Sequence, residues 1–162
     1  MTSADPVFTN GPARAIKWGE FAALEPDLAR FGAGRLRATL PSYLATVRRS
    51  GAPRVRPVTP IFRAHGLYLF MEPTSPKRRD LLATSWYGMH SGVPDNAGTG
   101  GEFSIEGGAV PVDDPAIWTE VAEASGYDPP ERYILFEFFV SEARCHGYGD
   151  VPLPDTRKWV IG

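Results

Sequence analysis

The sequence predicts a mainly β fold of the α+β class, in which antiparallel strands form a closed or partly closed barrel with a few helices at its margins. Three observations support this. The 162 residues include 17 glycines and 16 prolines, about 20% of the chain against roughly 12% in average proteins, and this excess predicts many turns and short elements. Several segments alternate apolar and polar residues between turn residues, as strands do. Only three segments have the spacing or start residues of helices.

The elements follow from these local signals. A helix is predicted over residues 17–31, where residues at three- and four-residue spacing are mainly apolar and Gly32 ends it: Trp18, Phe21, Leu24 or Glu25, Leu28 and Phe31. A second begins at Ser75-Pro76, and a third is opened by Asp113 or Asp114. The predicted order begins with helix 17–31 and strands 43–49, 53–60, 61–63 and 67–71, with a glycine turn at Gly66 between the last two strands. It continues with helix 76–83, strand 84–91, a loop at 92–101 and strand 102–112. It ends with helix 115–126, strand 133–143 and an edge strand or arm at 159–161.

Length and composition bound the functional classes. A chain of 162 residues is expected to form one domain, with the barrel at about 40–145 and a C-terminal arm at 146–162. No stretch approaches the roughly 18 apolar residues of a membrane span, and the first ten residues lack the pattern of a signal peptide. The single cysteine, Cys145, excludes an internal disulfide. We therefore expect a cytoplasmic protein without a membrane partner.

The net charge of −2 conceals a strong asymmetry along the chain. Residues 30–79 contain eleven basic residues and one acid, whereas residues 80–162 contain four basic and fourteen acidic residues. Such an asymmetry arises either because the two halves neutralise each other in the fold or because the first half binds an anion.

The sequence SPKRRD at 75–80 carries the sharpest anion signal. Lys77, Arg78 and Arg79 fall in the first turn of the predicted helix, although the N-terminus of a helix already carries about half a positive charge. A bound phosphate would reverse the sign of this interaction, because backbone amides, the Ser75 hydroxyl and basic side chains would converge on one anion. A solvated basic surface is the alternative.

Arg54 and Arg56 add to this signal. They alternate with Val55 and Pro57 and therefore point to the same side of one strand. In a groove they could hold a phosphate or the polar edge of a ring, whereas on a solvent-facing strand they would need no ligand.

Five segments in this order resemble the pyridoxamine 5′-phosphate oxidase-like family of flavin-binding proteins. The resemblance covers about residues 40–145 and is carried by YLATVRRSGAPRVRPVTPIF (43–62), LYLFMEPTSPKRRDLL (67–82), YGMHS (87–91), GEFSIEGGAVPVDDP (101–115) and LFEFFVSEA (135–143). It implies an antiparallel split β-barrel of Greek-key type that binds FMN at the interface of a homodimer. It also implies roles for individual residues: Arg54, Val55, Arg56 and Pro57 would line the flavin, Phe70 and Met71 would flank it, Ser75, Lys77 and Arg78 would bind its phosphate, and His90, Ser91 and Trp159 would contact the ligand across the interface.

Departures from the family pattern bear on the activity. Thr59 stands where the oxidases have a phosphate-binding lysine, and the C-terminal arm has no match to the arginine and histidine with which they hold their substrate. The resemblance therefore predicts an FMN-dependent oxidoreductase acting on an unidentified small molecule, with no catalytic acid or base named and no metal. The alternatives are a deazaflavin-dependent reductase and a non-catalytic flavin or haem binder with His90 or His146 as an axial ligand. A nucleic-acid module is disfavoured because of the alternating prolines and because the basic segment has no aromatic stacking motif.

Overall fold

The computed structural model describes residues 5–38 and 41–162. Residues 1–4, 39 and 40 lie outside the described part, and the predicted barrel begins at residue 40. Eight strands form one antiparallel sheet: β1 (Ser42–Val47), β2 (Pro53–Val58), β3 (Ile61–Arg63), β4 (Gly66–Met71), β5 (Trp86–His90), β6 (Glu102–Pro111), β7 (Ile134–His146) and β8 (Lys158–Val160). Their order is β2-β1-β5-β6-β7-β4-β3, and β8 pairs with the end of β7. The predicted mainly β, antiparallel class is confirmed.

The order of the strands explains why the sheet curls into a half-closed barrel. β2 and β3 lie at opposite ends of the hydrogen-bonded path, yet only Thr59 and Pro60 separate them in the sequence. A linker of two residues spans at most about 11 Å between the flanking Cα atoms. The two ends of the sheet must therefore approach each other at this linker, and the sheet closes on itself without forming a complete ladder there.

The main core lies inside the curl. β7 is the central strand, since it pairs with β6 along one edge and with β4 and β8 along the other. Phe103 of β6 and Phe136 and Phe138 of β7 are fully buried in this core. A smaller apolar cluster on the outer face of β3, β4 and β7 includes Leu135 and is covered by a helix.

The prediction of one helix over residues 17–31 is wrong. The structure has two helices here, α1 (Trp18–Leu24) and α2 (Pro26–Ala38). Pro26 begins a new helix because the first turn needs no amide hydrogen from that position. Gly32 continues α2 instead of ending it, and a Cβ at this position would lie 2.3 Å from Cζ of Phe103.

The other two helices begin where the sequence predicts. α3 (Pro76–Ala83) connects β4 to β5 and packs on β1. α4 (Pro115–Ala124) covers the smaller cluster, and Oδ1 of Asp114 accepts a hydrogen bond of 2.9 Å from the amide of Ala116, which makes Asp114 its N-cap residue. Within the described ranges, no helix has the length and apolar character needed to cross a membrane.

Candidate functional site

The N-terminus of α3 brings together three of the predicted phosphate ligands. Ser75 is the N-cap residue, but its side chain makes no capping hydrogen bond, so its hydroxyl remains available. Nη1 of Arg78 donates to the carbonyl of Pro73 at 3.2 Å, while its Nε is buried without a hydrogen-bond partner. These groups lie at the positively polarised end of the helix, where an anion is favoured.

Lys77 lies beside them without an acidic partner among the described residues. Burial lowers the pKa of the Lys77 ammonium, and the nearby positive charge of Arg56 lowers it further. The pair is a local excess of positive charge, because two cations repel each other in a partly desolvated place. An anion bound between them would remove that repulsion.

The arginines of β2 point to the same face of the strand but have different partners. Arg54 is paired with Thr46 in the register, and Arg56 with Leu44, so both lie on the face toward the core. Nε of Arg54 donates to Oδ2 of Asp80 at 2.7 Å, and their side chains are only 15% and 7% exposed. Arg56 is exposed, and its Nη1 donates to the carbonyl of Val55 at 2.9 Å.

Asp80 is the residue that joins α3 to the sheet. Its Oδ2 also accepts a hydrogen bond of 2.7 Å from the hydroxyl of Thr46. Burial alone would raise the pKa of the Asp80 carboxyl, but the hydrogen bonds from Arg54 and Thr46 hold it below its usual value. Asp80 is therefore a carboxylate whose charge is neutralised by Arg54, and sequence reasoning missed this partnership.

A cleft of about 520 Å³ opens beside the second half of α3. We call it the arginine cleft, and its lining is Arg48, Arg49, Arg54, Arg79, Asp80, Leu82 and Ala83. Arg48 and Arg49 directly follow the end of β1, and Arg79 comes from α3. The sequence signal for this cleft was the cluster of basic residues in the first half of the chain, but their convergence could not be read from spacing.

Of the other residues predicted to surround the flavin, two have buried side chains and two have exposed ones. Phe70 is buried against Trp118, with 5.1 Å between the ring centroids, and Met71 is fully buried in the main core. The side chains of Phe70 and Met71 are therefore buried within the protein, and their contact with a cofactor stays a prediction. Val55 and Pro57 are exposed on the outer face of β2. Their contact with a cofactor stays a prediction.

His90 lies in a separate polar cleft of about 350 Å³ on the outer face of the sheet. We call it the histidine cleft, and its lining is His90, Glu102, Ser104, Arg144, Cys145, His146, Arg157 and Lys158. Nδ1 of His90 lies 2.6 Å from the carbonyl oxygen of Ser91, so this nitrogen carries the hydrogen. Nε2 therefore keeps its lone pair in the neutral ring and lies 4.0 Å from a carboxylate oxygen of Glu102.

Trp159 and His90 are not brought together within one chain. Trp159 pairs with Ala143 of β7, whose side chain is buried in the core. Its ring packs against Phe21 of α1, with 5.1 Å between the centroids. His90 faces the opposite side of the sheet, so one chain does not bring His90 and Trp159 to the same ligand. The predicted contact of Trp159 with a ligand stays a prediction.

The outer face of β2, β1 and β5 carries exposed apolar side chains. We call it the apolar face, and it consists of Tyr43, Ala45, Pro53, Val55, Pro57, Trp86 and Gly88. Val55, Tyr43 and Trp86 are 54%, 44% and 39% exposed. His90 pairs with Tyr43 in the register and lies at the border of this face.

Two other features of the described part of the chain do not resemble cofactor sites. The cavity of about 410 Å³ beside α4 is lined by Asp113, Asp114, Glu131 and aromatic side chains, and its acids would repel an anionic cofactor. Across residues 5–38 and 41–162, no group of three or more histidine, cysteine or carboxylate side chains is arranged to hold a metal ion.

Comparison with known proteins identifies the family. The family model for pyridoxamine 5′-phosphate oxidase matches residues 34–144. The chain belongs to this family. The match includes β1 to β6, α3 and most of β7, and it confirms the family that the sequence motifs predicted. Among curated proteins, none matches this sequence.

Solved structures share the fold at low sequence identity. A haem-binding protein from Mycobacterium smegmatis is 18% identical with a TM-score of 0.62, and the match covers 81% of this chain but only 57% of that protein. HutZ, the haem storage protein from Vibrio cholerae, is 16% identical with a TM-score of 0.54, over 85% of this chain and 94% of that one. An F420 reductase is 21% identical with a TM-score of 0.54, over 68% of this chain and 93% of that one. At these identities the likeness establishes the split-barrel fold.

Proposed function

We propose that the chain is an FMN-dependent oxidoreductase that acts on a small molecule and binds the cofactor phosphate at the N-terminus of α3. The observation that carries the proposal is the set of unsatisfied positive groups there: the Lys77 ammonium, the buried Nε of Arg78 and the helix end itself. A phosphate fits this set because it offers several oxygen acceptors and the opposite charge.

Each of these residues has a role in binding. Ser75 and Arg78 donate hydrogen bonds to the phosphate, and Lys77 and Arg56 supply charge. Arg54 acts through Asp80, since their ion pair fixes α3 against β2 and thereby sets the position of the helix end relative to the strand. When bound, FMN supplies hydride or electron transfer, while the protein orients it and controls its surroundings.

A second copy of the chain completes the proposed site by covering the apolar face. Exposed Val55, Tyr43 and Trp86 would be removed from water, and His90 at the border of the face would reach the neighbouring site. Light scattering should give the mass of a dimer, and Val55→Asp should give a monomer. Leu24→Asp, on the 62% exposed Leu24 of α1, is the control and should leave the mass unchanged. A monomeric parent protein would contradict this part of the proposal.

Titration with FMN tests the phosphate site. Lys77→Ala combined with Arg78→Ala should weaken FMN binding roughly 100-fold, because two charge-assisted contacts worth about 1.5 kcal/mol each are lost. The matched control is Arg14→Ala with Arg30→Ala, which removes the same charge from exposed positions elsewhere and should change the affinity little. A parent protein that is colourless and does not bind FMN would refute the proposal, as would unchanged affinity in the Lys77/Arg78 variant.

Haem binding is a second candidate because of the state of His90. A histidine that donates one ring N–H to a backbone carbonyl presents its other nitrogen to a metal, and Nδ1 of His90 has such a partner in Ser91. Arg157 in the histidine cleft could pair with a haem propionate, whereas Arg144 and Lys158 there are already paired with Glu142. The absorption spectrum separates FMN, deazaflavin and haem, and His90→Ala should abolish a haem spectrum, with His146→Ala as the comparison.

A further inference from the structure

The arginine cleft gathers more positive charge than the fold neutralises. Arg48, Arg49 and Arg79 are exposed; the first two are adjacent in the segment after β1, and the third lies on α3. In the described part of the chain, none of their side chains has an ion pair or a hydrogen bond. Arg48 lies close enough to Asp80 to lower the pKa of that carboxyl, which indicates that its guanidinium faces into the cleft.

The single acid of the cleft does not balance these arginines. The charge of Asp80 is already matched by Arg54, to which it is hydrogen-bonded at 2.7 Å. The C-terminal end of α3 contributes about half a negative charge. Three guanidinium groups therefore face one open cleft with little compensation, and planar guanidinium groups bind phosphate and carboxylate with two parallel hydrogen bonds.

We propose that the arginine cleft is a second anion-binding site, which takes a linear oligoanion with at least two phosphate or carboxylate groups. The volume of about 520 Å³ has room for such a molecule. A ligand with several anionic groups suits the cleft because its free arginines come from two elements, Arg48 and Arg49 from the segment after β1 and Arg79 from α3. Arg54 and Asp80 hold the floor in place and do not bind the ligand.

The site is distinct from the proposed phosphate site on the same helix. Its lining includes none of Ser75, Lys77 and Arg78, and at about 100° per residue Arg79 and Lys77 project from nearly opposite sides of α3. A molecule in the arginine cleft and a phosphate at the N-terminus of α3 can therefore be bound together. Binding in the cleft does not depend on whether the chain binds FMN.

Calorimetric titration of the full chain with tripolyphosphate tests the site. We expect tripolyphosphate to bind at least tenfold more tightly than inorganic phosphate, and equally well with saturating FMN present. The triple variant Arg48→Gln, Arg49→Gln, Arg79→Gln should lose about 100-fold in affinity. The control triple Arg14→Gln, Arg30→Gln, Arg63→Gln has the same net charge and should lose less than threefold.

Further measurements distinguish the arginine cleft from a general attraction between basic side chains and polyanions. A tetraglutamate peptide in place of tripolyphosphate distinguishes a carboxylate chain from a phosphate chain as the source of the anions. The single variants Arg49→Gln and Arg79→Gln, each expected to lose about fivefold, replace the triple variant if it does not fold. Equal losses in the two triple variants, competition between tripolyphosphate and FMN, or tighter binding of a single-stranded oligonucleotide than of tripolyphosphate would overturn the proposal.

Discussion

Replacing Asp80 by asparagine separates the charge of the Arg54–Asp80 pair from its shape. The amide keeps the size of the carboxylate and can still accept a hydrogen bond from Thr46. The guanidinium of Arg54, only 15% exposed, is left without its counter-charge. We expect the variant to fold less stably because a partly buried charge that loses its partner keeps most of its desolvation penalty.

The size of the effect follows from the exposure of the two side chains. Removing one partner of a fully buried ion pair costs about 3–5 kcal/mol. Here Asp80 is 7% exposed and Arg54 is 15% exposed at the floor of an open cleft, so water recovers part of the penalty. We expect a loss of about 3 kcal/mol, which corresponds to a decrease in Tm of about 6–12 °C for a chain of this length.

The Arg54–Asp80 pair also makes the free energy of unfolding depend on pH in acid. The carboxyl of Asp80 has a lower pKa in the folded state than its usual value, so between the two values the unfolded chain binds more protons than the folded one. Its contribution to the free energy of unfolding is complete above about pH 4 and is lost as the pH falls further. The difference between the parent protein and Asp80→Asn should therefore narrow below about pH 4.

Urea unfolding between pH 3 and pH 7 measures both effects. Asp27→Asn is the matched control, because its ion pair with Arg30 is about three-quarters exposed on both sides and should contribute no more than about 0.5 kcal/mol. The double variant Arg54→Gln, Asp80→Asn should lose less than the sum of its two single variants. The prediction is refuted if Asp80→Asn loses less than about 1 kcal/mol or keeps the parent's dependence on acid.

Two further predictions concern the core and its margin. Burial raises the pKa of the Glu137 carboxyl, so the folded state holds this proton more tightly than the unfolded chain. The parent protein should therefore lose stability as the pH rises above about 4.3 and through the raised pKa. Glu137→Gln should remove this decline in urea unfolding from pH 4 to pH 8, and an unchanged decline would show that Glu137 does not cause it. Gly32→Ala should lower Tm, because the new methyl would meet the ring of Phe103 at 2.3 Å and overpacking costs about 1–3 kcal/mol, more than the roughly 1 kcal/mol of helix propensity gained. Gly34→Ala, with no atom within 4 Å of the added Cβ, should raise Tm, and shifts of the same sign in both variants would contradict the proposed role of Phe103.

Elements with strong local signals were predictable from the sequence. α3 begins at Pro76, as expected from a serine in the N-cap position followed by a proline at the first helical position. The break between α1 and α2 also has a local signal, Pro26, but the apolar spacing across it favours one continuous helix. Gly32 is retained inside α2 because of Phe103, which lies far away in the chain, and sequence spacing carries no information about such a contact.

The turn between β3 and β4 is another feature whose details could not be predicted from the sequence. The sequence places a glycine turn there, and this was wrong in detail. Ala64 and His65 adopt positive φ angles of 45° and 69°, whereas Gly66 already belongs to β4, where a Cβ would collide with the ring of Tyr68. The glycine serves packing, and the two-residue loop between the paired Arg63 and Gly66 imposes the positive φ angles on Ala64 and His65.

The candidate site was predictable where its signal is the charge of one helix end. Lys77 and Arg78 were identified because their positive charges conflict with the helix dipole, which is a property of adjacent residues. The pairing of Arg54 with Asp80 needed the packing of α3 on β1 and the register of β2, which join residues 26 positions apart. The arginine cleft likewise depends on segments that meet only in the fold.

The prolines of β2 determine how this protein can associate with another chain. β2 is an end strand of the sheet, and unpaired end strands are ready templates for strand addition. Pro53 and Pro57 offer no amide hydrogen on the outward side, and the carbonyl of Val55 between them is already bonded by the side chain of Arg56. With two residues unable to donate, this edge is a poor template for a further strand, which favours docking of any partner at this end of the molecule through side chains on a face.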